Sequence, residues 1–212
     1  MPSLASVRLY GILDLGYVSA EAAPKVLCQM VEGGVGIVQL RAKKQSPAEV
    51  EALARKLHPI AKEAGIPFIL NDHPALAGAL GLDGAHIGQD DLSVPEARAL
   101  LGPGRILGKS THSVAQAVAT AAEGVDYIGF GPLYATPTKP DYTPIGLEEI
   151  RKVHELVSIP VFCIGGIKLE NLPDVLAAGA RRVVIVSGIL QAPDIAAYCR
   201  EVNALLASNS QT

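Results

Sequence analysis

Aromatic residues are scarce in this chain of 212 residues. Tryptophan is absent and aromatics make up 4% of the sequence, whereas hydrophobic residues make up 49%. So few rings argue against a base-stacking platform for nucleic acid. The core must therefore come from valine, isoleucine, leucine and alanine, a composition typical of buried parallel strands flanked by helices.

Surplus positive charge and long apolar runs are also lacking. The chain has 18 basic and 21 acidic residues and a net charge of −3, so it offers no basic face for nucleic acid. No apolar run approaches the roughly 18 residues of a membrane span, and residues 1–14 lack a continuous signal-peptide core. We therefore expect a cytoplasmic protein that binds neither nucleic acid nor membrane.

Cysteine is rare, and the number of cysteines is odd. Cys28, Cys163 and Cys199 lie far apart, which fits neither a disulfide framework nor a metal clip. Cys163 lies inside the run VFCIGG and is predicted to be a small buried hydrophobe. A reducing cytoplasm is the simplest setting for three free thiols.

Short β-rich runs alternate with helical patterns along the whole chain. Strands are predicted at 7–13, 36–40, 67–70, 85–87, 106–108, 127–129, 161–164 and 183–186. Helices are predicted at 20–32, 47–64, 74–80, 94–101, 114–123, 147–156, 172–178 and 192–206. Strict alternation indicates parallel strands with right-handed crossovers, and eight near-equal units favour closure over an open doubly wound sheet.

The predicted fold is thus a single-domain (β/α)₈ TIM barrel of the α/β class over residues 1–212. Residues 207–212 form a polar tail that we expect to fray, and a homo-oligomer is compatible with the sequence. In such barrels the chemistry lies at the carboxyl ends of the strands. The residues that follow each predicted strand are therefore the candidates for function.

A basic row follows the second predicted strand. Gln39, Arg41 and Lys43 share one face, because side chains in a strand alternate with a period of two. Arginine offers a planar fork and lysine a point charge, so the row is typical of a phosphate-binding rim. The alternative is that the two basic side chains are solvated rim charges.

Carboxylates follow the third and fourth predicted strands. Asp72 follows Asn71, and Asp90 and Asp91 follow Gly88-Gln89. Loops on adjacent strands can share one hard cation, and Mg²⁺ is held by one or two carboxylates together with phosphate oxygens. Helix capping is the competing explanation for each aspartate.

The fifth predicted strand precedes a hydroxyl and an imidazole. Ser110 can hydrogen-bond a substrate, and His112 could act as an acid or base. Orientation of the loop or of the Ser113 cap is the favoured explanation for His112. For His86, inside the fourth strand, core packing is expected.

The loop after the sixth predicted strand, 132–144, is the longest, and long loops are usually lids or binding loops. It carries Thr136, Thr138 and Lys139 between prolines. Loops after strands seven and eight form the phosphate site of phosphate-binding barrels. We expect a single phosphate near Gly165, Gly166, Val186 and Ser187, and a more highly charged group near Arg41, Lys43 and Lys139.

The ordered set of motifs resembles the thiamine-phosphate synthase family from about Leu9 to Ile189. The motifs are QLRAK at 39–43, Asn71-Asp72, GQDD at 88–91, STHS at 110–113, GFGPLYATPTK at 129–139, IGGI at 164–167 and VSGI at 186–189. Each motif is weak alone, whereas one motif at each strand end, in this order, is specific.

The resemblance implies a transferase that joins a hydroxymethylpyrimidine diphosphate to a hydroxyethylthiazole phosphate, expected in its carboxylated form. Thiamine monophosphate and pyrophosphate would be the products. The C–O bond would ionise first, and the thiazole nitrogen would capture the pyrimidine cation. Such a reaction needs a stabilised leaving group, which one Mg²⁺ per active site would assist.

The resemblance also implies residue roles. Asp72 and Asp91 would hold the metal, and Arg41, Lys43, Asn71 and Lys139 would hold the diphosphate. Gln39 and Ser110 would contact the pyrimidine, within a substrate-binding run that includes Leu40 and Ala42. The thiazole phosphate would be held by Thr136, Pro137, Thr138, Gly166, Val186 and Ser187. Catalysis would rest on Arg41, Lys43, Lys139 and Ser110.

Three positions depart from the family pattern. Ala42 stands where an acid is usual, His73 where arginine is frequent, and Leu13-Asp14 replaces Thr-Asp. None of them removes a residue assigned to metal or diphosphate.

Three alternatives differ in testable ways. A thiazole tautomerase would use His112 and would need neither the basic row nor the aspartates. A regulatory paralogue would bind thiamine phosphate without turnover. A different phosphate-handling isomerase would use carboxylate or cysteine acid–base pairs at the strand ends.

Overall fold

The chain folds as a closed barrel of eight parallel strands surrounded by helices, which confirms the predicted architecture. The computed structural model describes residues 4–136 and 143–209. The strands are β1 Leu9–Asp14, β2 Ile37–Arg41, β3 Phe68–Asn71, β4 Gly84–Ile87, β5 Ile106–Thr111, β6 Tyr127–Phe130, β7 Val161–Ile164 and β8 Val183–Ile185.

The helices alternate with these strands. They are α1 Ala23–Glu32, α2 Pro47–Glu63, α3 Pro74–Leu80, α4 Val94–Leu101, α5 Val114–Ala122, α6 Ile150–Leu156, α7 Leu172–Ala177, α8 Ser187–Leu190 and α9 Ile195–Ser208, after a short 3₁₀ helix at Leu4–Ser6. Each strand pairs with the next, and β1 closes the barrel against β8 with Leu9 opposite Val183. None of the helices within the described ranges has the length and apolar character needed to cross a membrane.

Capping side chains set the start of several helices. Ser46 caps α2, and its hydroxyl accepts a hydrogen bond from the backbone N–H of Glu49 while the Glu49 carboxylate accepts from the Ser46 N–H. Ser93 caps α4 in the same reciprocal way with Glu96. Such boxes satisfy amide groups that the first turn leaves without helical partners. These helices therefore begin where their sequence signals indicate.

Three elements, β5, α8 and α9, show how the structure departs from the sequence-based expectation. Strand β5 runs to Thr111 rather than ending at Gly108. Lys109 is nevertheless accommodated in the strand, because its side chain is directed outward and pairs at 3.2 Å with Glu123, the C-cap residue of α5. Helix α8 was not predicted at all, since four residues are too few to show a helical period. The last helix also ends later than predicted, at Ser208.

The interior of the barrel concentrates the few aromatic rings. Tyr10, Tyr127 and Phe162 meet there edge to face, with ring centroids 5.4–5.7 Å apart. Gly108 makes room for this cluster, because a Cβ at that position would lie 2.0 Å from the Tyr127 ring. The prediction of a purely aliphatic and alanine core is therefore wrong for the barrel interior. It describes the outer layer better, although Phe68 and Phe130 are also buried there.

Candidate active site

A cavity opens at the carboxyl ends of the strands and collects most of the candidate residues that the structure describes, but its lining does not include Lys43, Asp72 or Asp91. The predicted residues that line it are Gln39, Arg41, Asn71, Ser110, Thr136, Gly166, Val186 and Ser187. Gly165, His86 and His112 line it as well. All eight strands contribute at least one residue to this opening, which is the arrangement expected of a barrel enzyme.

The run 39–43 divides between two environments. Gln39 and Arg41 face the cavity, whereas Leu40 and Ala42 pack in the core between the strands and the helices. Any contact that these two residues make with a ligand must therefore come from their backbone. Lys43 lies beyond the end of β2, and its ammonium pairs with Asp72.

Three of the predicted site residues, Pro137, Thr138 and Lys139, lie outside the described residues. Their neighbour Thr136 reaches the cavity wall. The assigned roles of these three residues therefore remain predictions.

Arg41 is fixed by a partner that the sequence analysis did not assign. Its guanidinium contacts the carboxylate of Asp14 at 2.5 Å, and the Asp14 side chain is 3% exposed. The other Asp14 oxygen accepts a hydrogen bond from the Gly16 N–H at 2.8 Å. The parallel register places Asp14 directly beside Arg41. The pair holds the guanidinium in one orientation, with donors left for an anion in the cavity.

A chain of hydrogen bonds crosses the barrel beneath the cavity. The Gln39 amide donates to the Tyr10 hydroxyl at 2.7 Å, and the Tyr10 and Tyr127 hydroxyls lie 2.9 Å apart. His86 then joins Tyr127 to Ser110, with Nδ1 3.0 Å from the phenol and Nε2 2.9 Å from the Ser110 hydroxyl. Burial raises the pKa of both phenols, so both keep their protons.

This chain has a direction. An amide nitrogen can only donate, and one arrangement of the other hydrogens is compatible with every contact: Tyr10 donates to Tyr127, and Tyr127 donates to His86 Nδ1. In the matching tautomer His86 donates from Nε2 to Ser110. In that arrangement the Ser110 hydroxyl keeps its hydrogen for a ligand. His86 therefore packs in the core as expected, but it also lines the cavity and orients Ser110.

The two candidate metal ligands follow neighbouring strands. The Asp72 N–H donates to the His86 carbonyl at 2.8 Å, which ties the end of β3 to β4. The Asp91 carboxylate accepts from the Gly88 N–H at 2.6 Å. Asp72 does not cap α3, because the N-cap residue is His73. Capping therefore does not explain Asp72, and its carboxylate is held by Lys43 instead.

The donor set suits a particular class of cation. Among the residues that the structure describes, no group of three or more histidine, cysteine, aspartate or glutamate side chains could hold a metal. A cation here would have at most a pair of carboxylates and would take its remaining oxygens from a ligand or water. That is the pattern of Mg²⁺ bound with a phosphorylated substrate.

The loops after β7 and β8 form the opposite wall of the cavity. Gly165 and Gly166 have φ values of +104° and +65°. A Cβ on Gly165 would lie 2.4 Å from Pro132 Cα, and one on Gly166 would lie 2.7 Å from Tyr134 Cβ. The glycines are thus required by packing against the loop after β6. The absence of a side chain at these two glycines would also let the backbone approach an anion closely, as the sequence suggested.

Val186 and Ser187 stand at the start of α8, directly after β8. The first amide groups of a helix have no partner within the helix, so they are available to an anion. Both residues line the cavity beside Gly166. This wall therefore offers backbone donors where the wall at β2 offers a guanidinium.

His112 is tied to the loop after β6. Its Nδ1 lies 2.5 Å from the Gly131 carbonyl, which makes this nitrogen a donor. The His112 N–H donates to the Gln116 side chain at 2.8 Å. These contacts fit the favoured interpretation, in which His112 orients a loop.

The buried thiol is chemically quiet. Cys163 is fully buried, and burial raises the pKa of its thiol to about 12. It is therefore neutral at ordinary pH, as expected of a small hydrophobe. The described residues that line the cavity include no carboxylate, thiol or amine.

Comparison with known proteins identifies close relatives. The family model described as thiamine monophosphate synthase matches residues 9–189. The thiamine-phosphate synthase of Shouchella clausii is 41% identical over 205 residues, which covers 96% of this chain and 98% of that protein. The thiamine-phosphate synthase of Thermus thermophilus is 48% identical over 163 residues, covering 76% of this chain and 78% of that protein.

Solved structures agree with this relationship. The thiamine phosphate pyrophosphorylase of Pyrococcus furiosus superposes with a TM-score of 0.86 and 29% identity, covering 96% of each chain. A 3-hexulose-6-phosphate synthase from Salmonella typhimurium superposes with a TM-score of 0.70 at 16% identity. The second likeness concerns the barrel fold alone.

Proposed function

The chain belongs to the thiamine monophosphate synthase family, and on that premise we propose that it is a thiamine-phosphate synthase. This transferase joins a hydroxymethylpyrimidine diphosphate to a hydroxyethylthiazole phosphate, which we expect in its carboxylated form. The bond from the pyrimidine methylene to the diphosphate oxygen breaks, and a bond from that carbon to the thiazole nitrogen forms. The products are thiamine monophosphate and pyrophosphate.

The departing diphosphate would leave toward the wall formed by β2 and β3. Arg41, oriented by Asp14, would donate to its oxygens, and Asn71 would donate from the adjacent strand end. Lys43 and, in the long loop, Lys139 would add positive charge. Donors already aimed at developing negative charge lower the barrier because they need no reorganisation during the reaction.

We propose that Asp72 and Asp91 hold one Mg²⁺ beside this wall. Their position directly after adjacent strands supports this assignment. When bound, Mg²⁺ would neutralise charge on the diphosphate and so make it a better leaving group. Lys43 would then exchange its contact with Asp72 for one with the diphosphate.

The pyrimidine would lie over the hydrogen-bonded chain of the barrel interior. The Ser110 hydroxyl would donate to a ring nitrogen while it accepts from His86, and the Gln39 amide lies on the same cavity floor. His86 would act only through Ser110. These contacts orient the methylene toward the incoming nitrogen, which is an effect of positioning.

The thiazole phosphate would lie at the wall formed by β7 and β8. Gly166, Val186 and Ser187 would bind it with backbone amides and a hydroxyl, and Thr136, Pro137 and Thr138 would close over it. The two anionic groups would then face each other across the opening. The distance across the barrel keeps them apart while the reacting atoms meet above its centre.

One observation carries the proposal. The cavity combines an oriented arginine on one wall and backbone donors on the other, whereas its described lining holds no carboxylate, thiol or amine. Such a site is suited to binding an anionic leaving group, and its described lining lacks the carboxylate and thiol groups that the rival isomerases use. That favours ionisation with pyrophosphate release over an acid–base isomerisation by carboxylates or cysteine.

The reaction itself tests the proposal. The purified protein is incubated with both precursors and Mg²⁺, with EDTA, and with EDTA followed by excess Mg²⁺, and both products are measured. We expect equal amounts of thiamine monophosphate and pyrophosphate, which EDTA abolishes and excess Mg²⁺ restores. Omission of either precursor should stop both products.

Two results would overturn it. Isomerisation of a thiazole carboxylate phosphate that His112→Ala stops, with no condensation, would make the protein a tautomerase. Binding of thiamine monophosphate without any turnover would make it a regulatory paralogue.

A further inference from the structure

A second cavity lies at the amino-terminal end of the barrel, opposite the active site. Its volume is about 310 Å³, and its wall includes Arg8, Arg181 and Arg182. Arg8 directly precedes β1 and the other two directly precede β8. Because β1 and β8 pair to close the barrel, these three arginines come together at the closing seam. The end of α9 at Leu206 and Asn209 forms another side of the cavity.

Two of the arginines in this cavity, Arg181 and Arg182, lack an acidic partner within the part of the chain that the structure describes. Among the described residues, neither Arg181 nor Arg182 forms an ion pair, whereas eight other basic side chains do. Arg182 donates one hydrogen bond, to the Ala5 carbonyl at 2.7 Å, and its Nε is buried with no partner in the structure. A buried donor without an acceptor is costly, and a charged one more so.

The cationic groups also act on each other. Partial burial, followed by the charges of Arg181 and Arg8, lowers the pKa of Arg182. On the neighbouring helix α6, burial and the charges of Arg181 and Arg182 lower the pKa of His154 to about 4. This end of the barrel therefore carries a net repulsion that an anion would relieve.

We propose that this cavity is a second anion site that binds a phosphate monoester or a diphosphate. Guanidinium groups bind phosphate oxygens through paired N–H donors, and a cluster of them favours the higher charge of phosphate over that of a carboxylate. A water molecule needs a cavity volume of roughly 10–15 Å³. The cavity measures about 310 Å³ and therefore has room for a phosphate with an organic group attached. The ligand would join residues from both chain ends to the closing seam, and it would stabilise the folded protein.

This inference is separate from the proposed function, because the two anion sites lie at opposite ends of the barrel. The experiment measures the number of anion sites per chain with one probe, inorganic pyrophosphate. The pyrophosphate is titrated into the protein in a calorimeter, in a low-salt buffer that contains EDTA. We expect the wild-type protein to bind two pyrophosphates per chain. Arg181→Gln should weaken one of them by roughly tenfold or more, which corresponds to the loss of a charge-assisted contact.

Matched variants separate the two sites. Arg41→Gln should weaken only the site at the carboxyl end. Arg55→Gln is the control for loss of charge, because Arg55 is exposed and pairs only with Glu51 on α2. It should keep both binding events. Arg181→Gln/Arg182→Gln should abolish the second event and leave the rate of synthesis unchanged.

The outcomes separate the two proposals. If Arg181→Gln and the double variant bind two pyrophosphates as tightly as Arg55→Gln, the second site is wrong. A single wild-type site that Arg41→Gln removes would also overturn it, while leaving the proposed function standing. If only the arginine variants of the second cavity reduce binding, the diphosphate role of Arg41 is wrong instead. If the double variant does not fold, the pyrophosphate titration of Arg181→Gln still tests the second site, because Arg181 is exposed and its substitution leaves the core intact.

Discussion

The contact between Arg41 and Asp14 shows how a single buried carboxylate prepares a site. Arg41 is 16% exposed and its partner 3%, so water screens the pair weakly. The carboxylate keeps the guanidinium in the cavity wall instead of letting it turn to solvent. Asp14 is thus a positioning residue for the group expected to meet the diphosphate.

Asp14→Asn should lower the free energy of unfolding by about 1–3 kcal/mol, because a buried charge loses its partner. It should also lower kcat for synthesis by roughly tenfold, with little change in the KM for the thiazole phosphate. Urea denaturation and steady-state kinetics measure the two effects. Glu51→Gln, which breaks the exposed pair with Arg55, is the control and should cost less than about 0.5 kcal/mol. Unchanged kcat in Asp14→Asn would contradict the positioning role.

Tyr127 connects the two halves of the hydrogen-bonded chain. Tyr127→Phe removes the link between Tyr10 and His86 and leaves a buried nitrogen without its partner. We expect a loss of about 1–3 kcal/mol in unfolding free energy. The KM for the pyrimidine diphosphate should rise while the KM for the thiazole phosphate stays constant, since Ser110 loses its orientation. Equal changes in both KM values would indicate a general structural effect instead.

His154 makes stability depend on pH. Its folded pKa of about 4 lies below the unfolded value of 6.5, so the neutral form is favoured in the fold. The contribution is therefore present above pH 6.5 and is lost as the pH falls from 6.5 to 4. With allowance for partial exposure, about 2 kcal/mol is at stake. Urea denaturation at both pH values should show a smaller loss in His154→Gln than in wild type, and an equal loss would refute the assignment.

At the scale of residues, the sequence predicts which side chains face the cavity where this depends only on their position along one strand. Gln39 and Arg41 face the cavity because of simple alternation. Asp14, Tyr10, His86 and Tyr127 were not assigned to the site, because their role depends on the register between strands and on distances across the barrel. No spacing within one strand reveals these distances.

At the scale of elements, strands and helices are predictable where caps and periodicity agree. Helices α3 and α4 lie where the sequence placed them, since proline and serine signals mark their starts and glycine follows their ends. Strand β5 was predicted too short because Lys109 and Ser110 are polar. The tertiary structure explains why polar residues fit in this strand: Lys109 pairs with Glu123 at the end of α5, and Ser110 faces the cavity.

The loop after β7 offers a test of element packing. Gly165→Ala places a Cβ 2.4 Å from Pro132 Cα, at a φ of +104°. Gly124→Ala, at a φ of +88° with no atom within 4 Å of the added carbon, is the matched control. The control should cost about 1–2 kcal/mol through its backbone alone. Gly165→Ala should cost about 1–3 kcal/mol more because the loop after β6 must move, and equal thermal midpoints would contradict this packing.

At the scale of the whole molecule, the closed barrel follows from the count of strand and helix units. Eight units of similar length fit a barrel, and the pairing of β1 with β8 completes it. The aromatic content could not reveal that Tyr10, Tyr127 and Phe162 fill one place. The cavity at the amino-terminal end was equally hidden, because Arg8 lies far in the sequence from Arg181 and Arg182 and meets them only when the barrel closes.

The two ends of the barrel therefore have different characters. The carboxyl end carries an oriented arginine, an ordered polar floor and backbone donors around one opening. The amino-terminal end carries three arginines beside the seam, and two of them, Arg181 and Arg182, form no ion pair among the described residues. The proposed reaction belongs to the first end, and its leaving group is the feature on which the account depends most.

The rate of pyrophosphate release by Arg41→Gln tests that dependence most directly. With both precursors and Mg²⁺ at saturation, the account predicts a fall in kcat of about 10²–10³ relative to wild type, because a donor to developing charge is lost. The KM for the thiazole phosphate should stay within a few-fold of wild type. Release at the wild-type rate would contradict the assignment of the diphosphate to this wall of the cavity.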